Sequence, residues 1–167
     1  GNGSLNSYVY ALGLIGNELY VGGEFINVNN NSSILNTGDY IAGYVIDDGI
    51  YRVAPDGVSD PLCGKDWSTP CNLQYALTSL ATSGDELWVK AGTYKPTTTT
   101  DRTISITLKN GVAIYGGFAG METLRTQRNP STNVTILSGE IGVAGTADNS
   151  YHVVVGGGTN NTAVLDG

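Results

Sequence analysis

Trp88 and Tyr115 are the residues of this chain best placed to meet a ligand. Each occupies an alternate position of a strand-like hexapeptide ending in glycine, Leu87-Trp88-Val89-Lys90-Ala91-Gly92 and Val112-Ala113-Ile114-Tyr115-Gly116-Gly117. Aromatic rings on a flat β-face stack on sugars or pack against another protein. The competing reading lays them under a loop or an amino-terminal meander. With the hexapeptides aligned on their glycines, the two rings stand two residues out of step. Cleaving a polysaccharide asks for more: paired acids across the scissile bond, or a calcium-binding carboxylate cluster with a base. The positions expected to face outward are Trp88, Lys90, Ala113, Tyr115, Thr135, Leu137, Ala163 and Leu165, which include no carboxylate pair and one cation. Asp166 and Glu140 lie at corners without a matching acid. His152 is the single histidine and has no nucleophile or second ligand beside it in sequence, so a structural role is expected.

Neither a cofactor nor a metal is expected. The one metal reading the acids offer is calcium at Asp47, Asp48, Asp56 and Asp60, but their spacing fits no calcium loop, and turn formation is the expected role. Gly22-Gly23 and Gly156-Gly157-Gly158 lack the strand-to-helix setting of a phosphate loop and read as corners. Cys63 and Cys71 sit eight apart in a loop-like stretch that contains no further metal ligand set. They read as a disulfide closing a short loop, with two free thiols as the alternative. The disulfide suits an extracellular compartment.

What must position these residues is a repeat. Val134-Thr135-Ile136-Leu137-Ser138-Gly139 and Thr162-Ala163-Val164-Leu165-Asp166-Gly167 follow the same template as the two hexapeptides above. Period-two apolar alternation marks a strand with one buried face, and a glycine after it allows a corner. Recurrence of such a unit marks a solenoid, in which each coil buries its apolar face against its neighbours. The expectation is an all-β fold, a right-handed parallel β-helix. Val89, Ile114, Ile136 and Val164 are then expected in one internal ladder, and Leu87, Val112, Val134 and Thr162 in a second. Second strands are expected at Ile104 to Leu108 and His152 to Val155, joined to the template strands by corners. From Asn72 to Ala81, Leu73, Ala76, Leu77, Leu80 and Ala81 share one helical face, with Asn72 as N-cap. That helix is expected to cap the open end of the solenoid.

Upstream, residues 1–53 read as an antiparallel meander: Tyr8 to Ile15, a Gly16-Asn17 turn, Glu18 to Phe25, an Asn-rich loop from Asn27 to Gly38, Tyr40 to Ile46, then Ile50 to Val53 after a turn. Residues 54–71 read as a linker with the disulfide loop, and 72–167 as capping helix and coils. A net charge of −7 argues against nucleic acid. No apolar run approaches the roughly 18 residues that span a bilayer, so no membrane insertion is expected.

Two resemblances carry these readings further. Val9-Tyr10-Ala11-Leu12, Leu19 to Phe25 and Tyr40 to Tyr44 resemble one blade of a β-propeller. Asn72 to Leu77, Gly84 to Tyr94, Leu108 to Phe118 and Thr135 to Ile141 resemble the pectin-lyase-like β-helices of bacterial cell-surface proteins, similar to polymorphic outer-membrane proteins and adhesins. That resemblance covers about residues 60–167 and implies a secreted, extracellular or cell-surface protein. It further implies a non-catalytic structural or adhesive role, in a chain that is a fragment ending inside a coil. A filament subunit joined through unpaired β ends is one form of that role, with self-association or another surface protein as the partner. A carbohydrate-binding module using Trp88 and Tyr115, or the loop near Asn29 to Ser33, is the alternative, and a polysaccharide lyase or hydrolase a third.

Overall fold

The computed structural model describes residues 4–5, 8–15, 18–24, 28–30, 33–35, 41–45 and 48–167. They divide into two units, Gly1–Asp48 and Gly49–Gly167. The first is antiparallel. β1 (Ser4–Leu5), β4 (Val28–Asn30) and β5 (Ser33–Leu35) form one sheet; β2 (Val9–Ile15), β3 (Glu18–Gly23) and β6 (Ile41–Val45) form the other. The second sheet is the expected meander, with Leu12 opposite Val21 and Tyr20 opposite Gly43. The Asn-rich stretch, expected as a loop, contributes β4 and β5, which pair Val28 with Leu35. The Gly16-Asn17 turn, Tyr40 and Asp47 lie outside the described residues.

The second unit is built on parallel sheets. β7 (Ile50–Val58), β8 (Glu86–Lys90), β9 (Gly92–Tyr94), β10 (Ile106–Thr107), β11 (Ala113–Phe118), β12 (Thr135–Leu137), β13 (Val154–Val155) and β14 (Val164–Asp166) follow in chain order. The largest sheet runs β14-β11-β8-β7, all parallel; β12 pairs with β9, and β13 with β10, also in parallel. The chain therefore visits three sheets in turn through β8, β9 and β10. It repeats the circuit through β11, β12 and β13, then returns to the first sheet at β14. This is a solenoid-like arrangement.

Its corners stack as its strands do. The Asn110 side chain accepts from the Asn160 amide (2.8 Å), and the Thr162 hydroxyl accepts from the Gly111 amide (2.8 Å). Asn110-Gly111 is thus a solenoid corner, as expected, and not a hairpin turn. Leu87, Val89, Tyr94, Ile106, Val112 and Ile114 fill the interior together with the helical residues Leu73, Ala76, Leu77 and Ala81. Burial in that interior pushes the Tyr94 phenol up, with the charge of Asp56 acting in the same sense. Its hydroxyl donates to the Lys90 carbonyl at 2.7 Å.

The expected ladders need correction. Ile114 lies beside Leu87, two residues from the Val89 partner that the template alignment gives, and Val164 lies beside Ala113. Val134 to Gly139 belongs to another sheet, where Ile136 pairs with Thr93 and faces out at 48% exposure while Ile114 is 3% exposed. Ile114 and Ile136 therefore do not share an internal row. Alternation with a terminal glycine specifies a strand and a corner, but any side of a coil can use that pattern. Leu137, expected outside, packs against the core instead, whereas Leu165 is exposed as expected and lines a cavity of about 80 Å³ bounded by Val89, Ile114 and Leu137.

The helix begins where expected. The Asn72 side chain accepts from the Tyr75 amide at 3.1 Å, capping an α-helical turn Leu73–Tyr75. It then widens into a π-helical turn Ala76–Leu80, closed by the Ala81 amide on the Ala76 carbonyl. The Thr78 hydroxyl bonds back to the Gln74 carbonyl within this stretch, a competitor for the regular helical bond. Lys109 reaches the carboxyl-terminal end of the helix and donates to the Leu77 and Ala81 carbonyls. Among the described residues no helix is long and apolar enough to cross a membrane.

β7 is a rung of the parallel sheet, in place of the last meander strand and linker that the sequence predicts there. Its outer edge is covered by the following loop. Arg52 donates its amide to Gly64, and Val58 exchanges bonds with Pro70 and Asn72. Cys63 and Cys71 are disulfide-bonded and fully buried in that loop.

Candidate functional site: the outward face of the parallel sheet

Strand register places four side chains in one row across the largest sheet: Arg52 beside Trp88, Trp88 beside Tyr115, Tyr115 beside Asp166. Trp88 and Tyr115 are direct neighbours, which removes the two-residue offset of the template alignment. Between Tyr115 and Phe118 the register shifts at Gly116-Gly117. Gly117 has φ +93°, and a Cβ there would lie 2.7 Å from the Pro130 nitrogen. Only glycine suits both the conformation and the close approach. The bulge turns Phe118 back along the strand to stack on Trp88, ring centroids 4.9 Å apart and 9° from parallel.

Two loops roof this face. From the disulfide loop, Trp67 packs on Phe118 at 5.8 Å and donates its indole N–H to the Glu122 carbonyl at 2.9 Å. From the following side, the turn Ala119 to Glu122 folds around its own carboxylate, which accepts from the amides of Ala119, Gly120 and Met121. Burial pushes the Glu122 carboxyl up, but these backbone N–H groups outweigh it and hold the group below the ordinary range. Trp88 is consequently 2% exposed. The reading of Trp88 as an exposed ligand platform is thus corrected: the ring is a buried contact between sheet and roof.

The Glu86 and Asp166 carboxylates of this face are matched within it. The Arg52 guanidinium lies over the Trp88 ring at 5.4 Å. Glu86 accepts the Trp88 indole N–H at 2.8 Å and pairs with Arg125. Tyr115 is half-buried, with the guanidinium carbons of Arg125 and Arg128 at 4.6 and 5.1 Å from its ring centre. Arg128 also pairs with Asp166. The carboxylates of the face, Glu86 and Asp166, each have an arginine partner, so neither is poised as an acid or base opposite the other. The arrangement binds strand to strand and loop to sheet. Arg52, Trp67, Phe118, Glu122, Arg125 and Arg128 escaped the sequence reading. The Gly116-Gly117 pair before an aromatic was the one local sign of a bulge.

The remaining candidates separate. His152 is exposed. Asp60 accepts the Leu62 amide, and Asp66 accepts from Ser68, whose hydroxyl and amide hold the Asp66 carboxyl below its ordinary range. These are turn contacts. Among the described residues no group of three His, Cys, Asp or Glu side chains is arranged to hold a metal ion. Asp47 and the side chains from Asn29 to Ser33 lie outside the described residues. No protein-family model, no curated protein and no solved structure matches the chain.

Proposed function

We propose that this chain is a non-catalytic, structural or adhesive segment of a secreted bacterial surface protein, built as a right-handed parallel β-helix that associates with further copies through its open edge. The observation that carries the reading is the Trp88 face, whose ring stacking and ion pairs tie strand to strand and loop to sheet and leave neither Glu86 nor Asp166 without an arginine partner. At the β7 end, the edge strand is covered by the disulfide loop, and the helix Leu73 to Leu80 contributes to the same core, as a cap would. The disulfide supports an oxidising, extracellular setting. The internally matched carboxylates of the Trp88 face favour a structural role for it over catalysis.

The test is assembly. Light scattering and negative-stain electron microscopy across increasing concentration should show ordered, growing particles. Leu165→Pro removes an edge N–H and should suppress them while the circular dichroism spectrum is retained. A wild-type protein that stays monomeric at high concentration rejects the proposal. On a glycan array, binding that depends on Tyr115 would instead favour the carbohydrate-binding reading.

A further inference from the structure

Asn110-Gly111 is the one Asn-Gly pair among the described residues. An asparagine side chain followed by an amide that carries no Cβ beside it is the pair most open to attack of the backbone on its own side chain. Here the glycine is forced by the fold. Gly111 has φ +76°, and a Cβ there would fall 2.1 Å from the Ser83 Oγ and 2.9 Å from the Ser83 Cα. Only glycine meets both conditions.

The corner is clamped from both sides. The Gly84 amide donates to the Gly111 carbonyl at 2.8 Å from the preceding coil. From the following coil, the Thr162 hydroxyl oxygen accepts the Gly111 amide at 2.8 Å, and the Asn160 amide donates to Asn110 Oδ1 at 2.8 Å. The Thr162 hydroxyl passes its own proton on to Asn160 Oδ1, which also accepts the Thr162 amide at 2.9 Å. One short segment, Asn160 to Thr162, thus holds both groups that would react: the Gly111 nitrogen and the Asn110 side-chain carbonyl. The two holds differ in kind. Thr162 ties up the attacking nitrogen, whereas the bond from Asn160 polarises the Asn110 carbonyl while fixing its orientation.

We propose that Asn110-Gly111 is a latent self-modification site, kept shut by Thr162 of the following coil. When the Thr162 contact opens, the Gly111 nitrogen forms a bond to Asn110 Cγ. The Cγ–Nδ2 bond breaks, and the side-chain nitrogen leaves as ammonia with the proton from the Gly111 amide. Water then opens the resulting five-membered imide to aspartate or isoaspartate. The isoaspartate product carries an extra methylene in the main chain and no longer presents the Gly111 amide to Thr162, so the clamp does not re-form. Both contacts lie at exposed residues, and such contacts open by local fluctuation without unfolding the core. The site stands whether or not the chain assembles.

The test incubates the intact chain in mildly alkaline buffer, native and in urea, and reads Asn110 by peptide mass spectrometry with fragmentation that separates isoaspartate from aspartate. The native chain should modify Asn110 roughly thirtyfold more slowly than the unfolded chain, the protection expected of two ordinary hydrogen bonds. Thr162→Val, close in shape but without the acceptor, should modify about fivefold faster than wild type when folded. Thr162→Ser keeps the hydroxyl and should stay near the wild-type rate. Amide exchange at Gly111 should rise in step with the modification rate across these proteins. If Thr162→Val does not fold, the native-to-urea ratio and the Gly111 exchange of the wild type decide the matter. Equal rates in buffer and urea overturn the proposal, as does a folded Thr162→Val no faster than wild type. Absence of isoaspartate at Asn110 in both states overturns it as well.

Discussion

Replacing Trp88 by alanine distinguishes a ligand platform from a structural contact. On an exposed platform the substitution abolishes binding and leaves the fold almost untouched. In the structure the ring is 2% exposed, stacked on Phe118 and covered by Arg52, with its N–H on Glu86. Deleting a buried aromatic side chain costs about 3–5 kcal/mol through lost transfer energy and the cavity left behind. Loss of the stacked pair accounts for about 0.5–1.5 kcal/mol of coupling, and the polar contact to Glu86 sits at a half-exposed edge and adds little. The expected loss is therefore about 4 kcal/mol, or roughly 15 °C in melting temperature for a unit of this size. Urea denaturation followed by circular dichroism measures it. A double-mutant cycle with Phe118→Ala should return a coupling of about 1 kcal/mol. A loss below about 1 kcal/mol, the range of ordinary surface substitutions, would refute the burial of Trp88 and the roof above it.

Ile114→Asp should cost several kcal/mol because it buries an unpaired charge beside Leu87; a melting curve close to wild type would contradict the inward placement. Replacing Cys63 and Cys71 with serine should destabilise by about 2.5 kcal/mol from loop-closure entropy. It should also speed amide exchange at Arg52 and Val58, which the loop covers, and unchanged exchange there would count against the edge-covering role. Glu122 has a folded pKa below its ordinary value of 4.5, so the unfolded state binds the extra proton first. Its contribution is full above pH about 4.5 and is lost as pH falls through the lower folded value. Glu122→Gln should flatten that acid limb of the stability curve; an identical limb in both proteins would place the titration elsewhere.

Much of this architecture was legible in local sequence signals, and the losses have specific causes. The Asn72 cap, the apolar face of Leu73, Ala76 and Leu77, the disulfide and the parallel strands each follow from short-range patterns. The hexapeptide ending in Gly139 has the same pattern as those ending in Gly92 and Gly117, but it forms β12 on a different side. The pattern reports strand and corner only, and the long loops between strands hide how far round the coil the chain has travelled. Register was lost for a related reason. Gly117 sits in a bulge inside β11, before Phe118 comes level with Lys90, whereas Gly92 lies beyond Lys90; the two glycines are not equivalent, and aligning on them misplaces Tyr115 by two residues. Ile50 to Val53 reads as the end of a meander, and the residues after it as linker, because nothing local announces a parallel partner that starts at Glu86. Trp88 looked exposed because strand alternation gives the face but not what covers it. Its roof comes from Trp67, across a disulfide loop, and from Glu122, beyond the bulge.

Nuclear Overhauser spectroscopy on isotope-labelled protein tests the central claim most directly, because it reports which strands are neighbours and in which direction. The stack predicts parallel-type contacts linking Trp88 with Tyr115, Thr93 with Ile136, and Ile106 with Val154. Antiparallel Hα–Hα contacts between these strands, or contacts that place Ile136 beside Ile114, would contradict it.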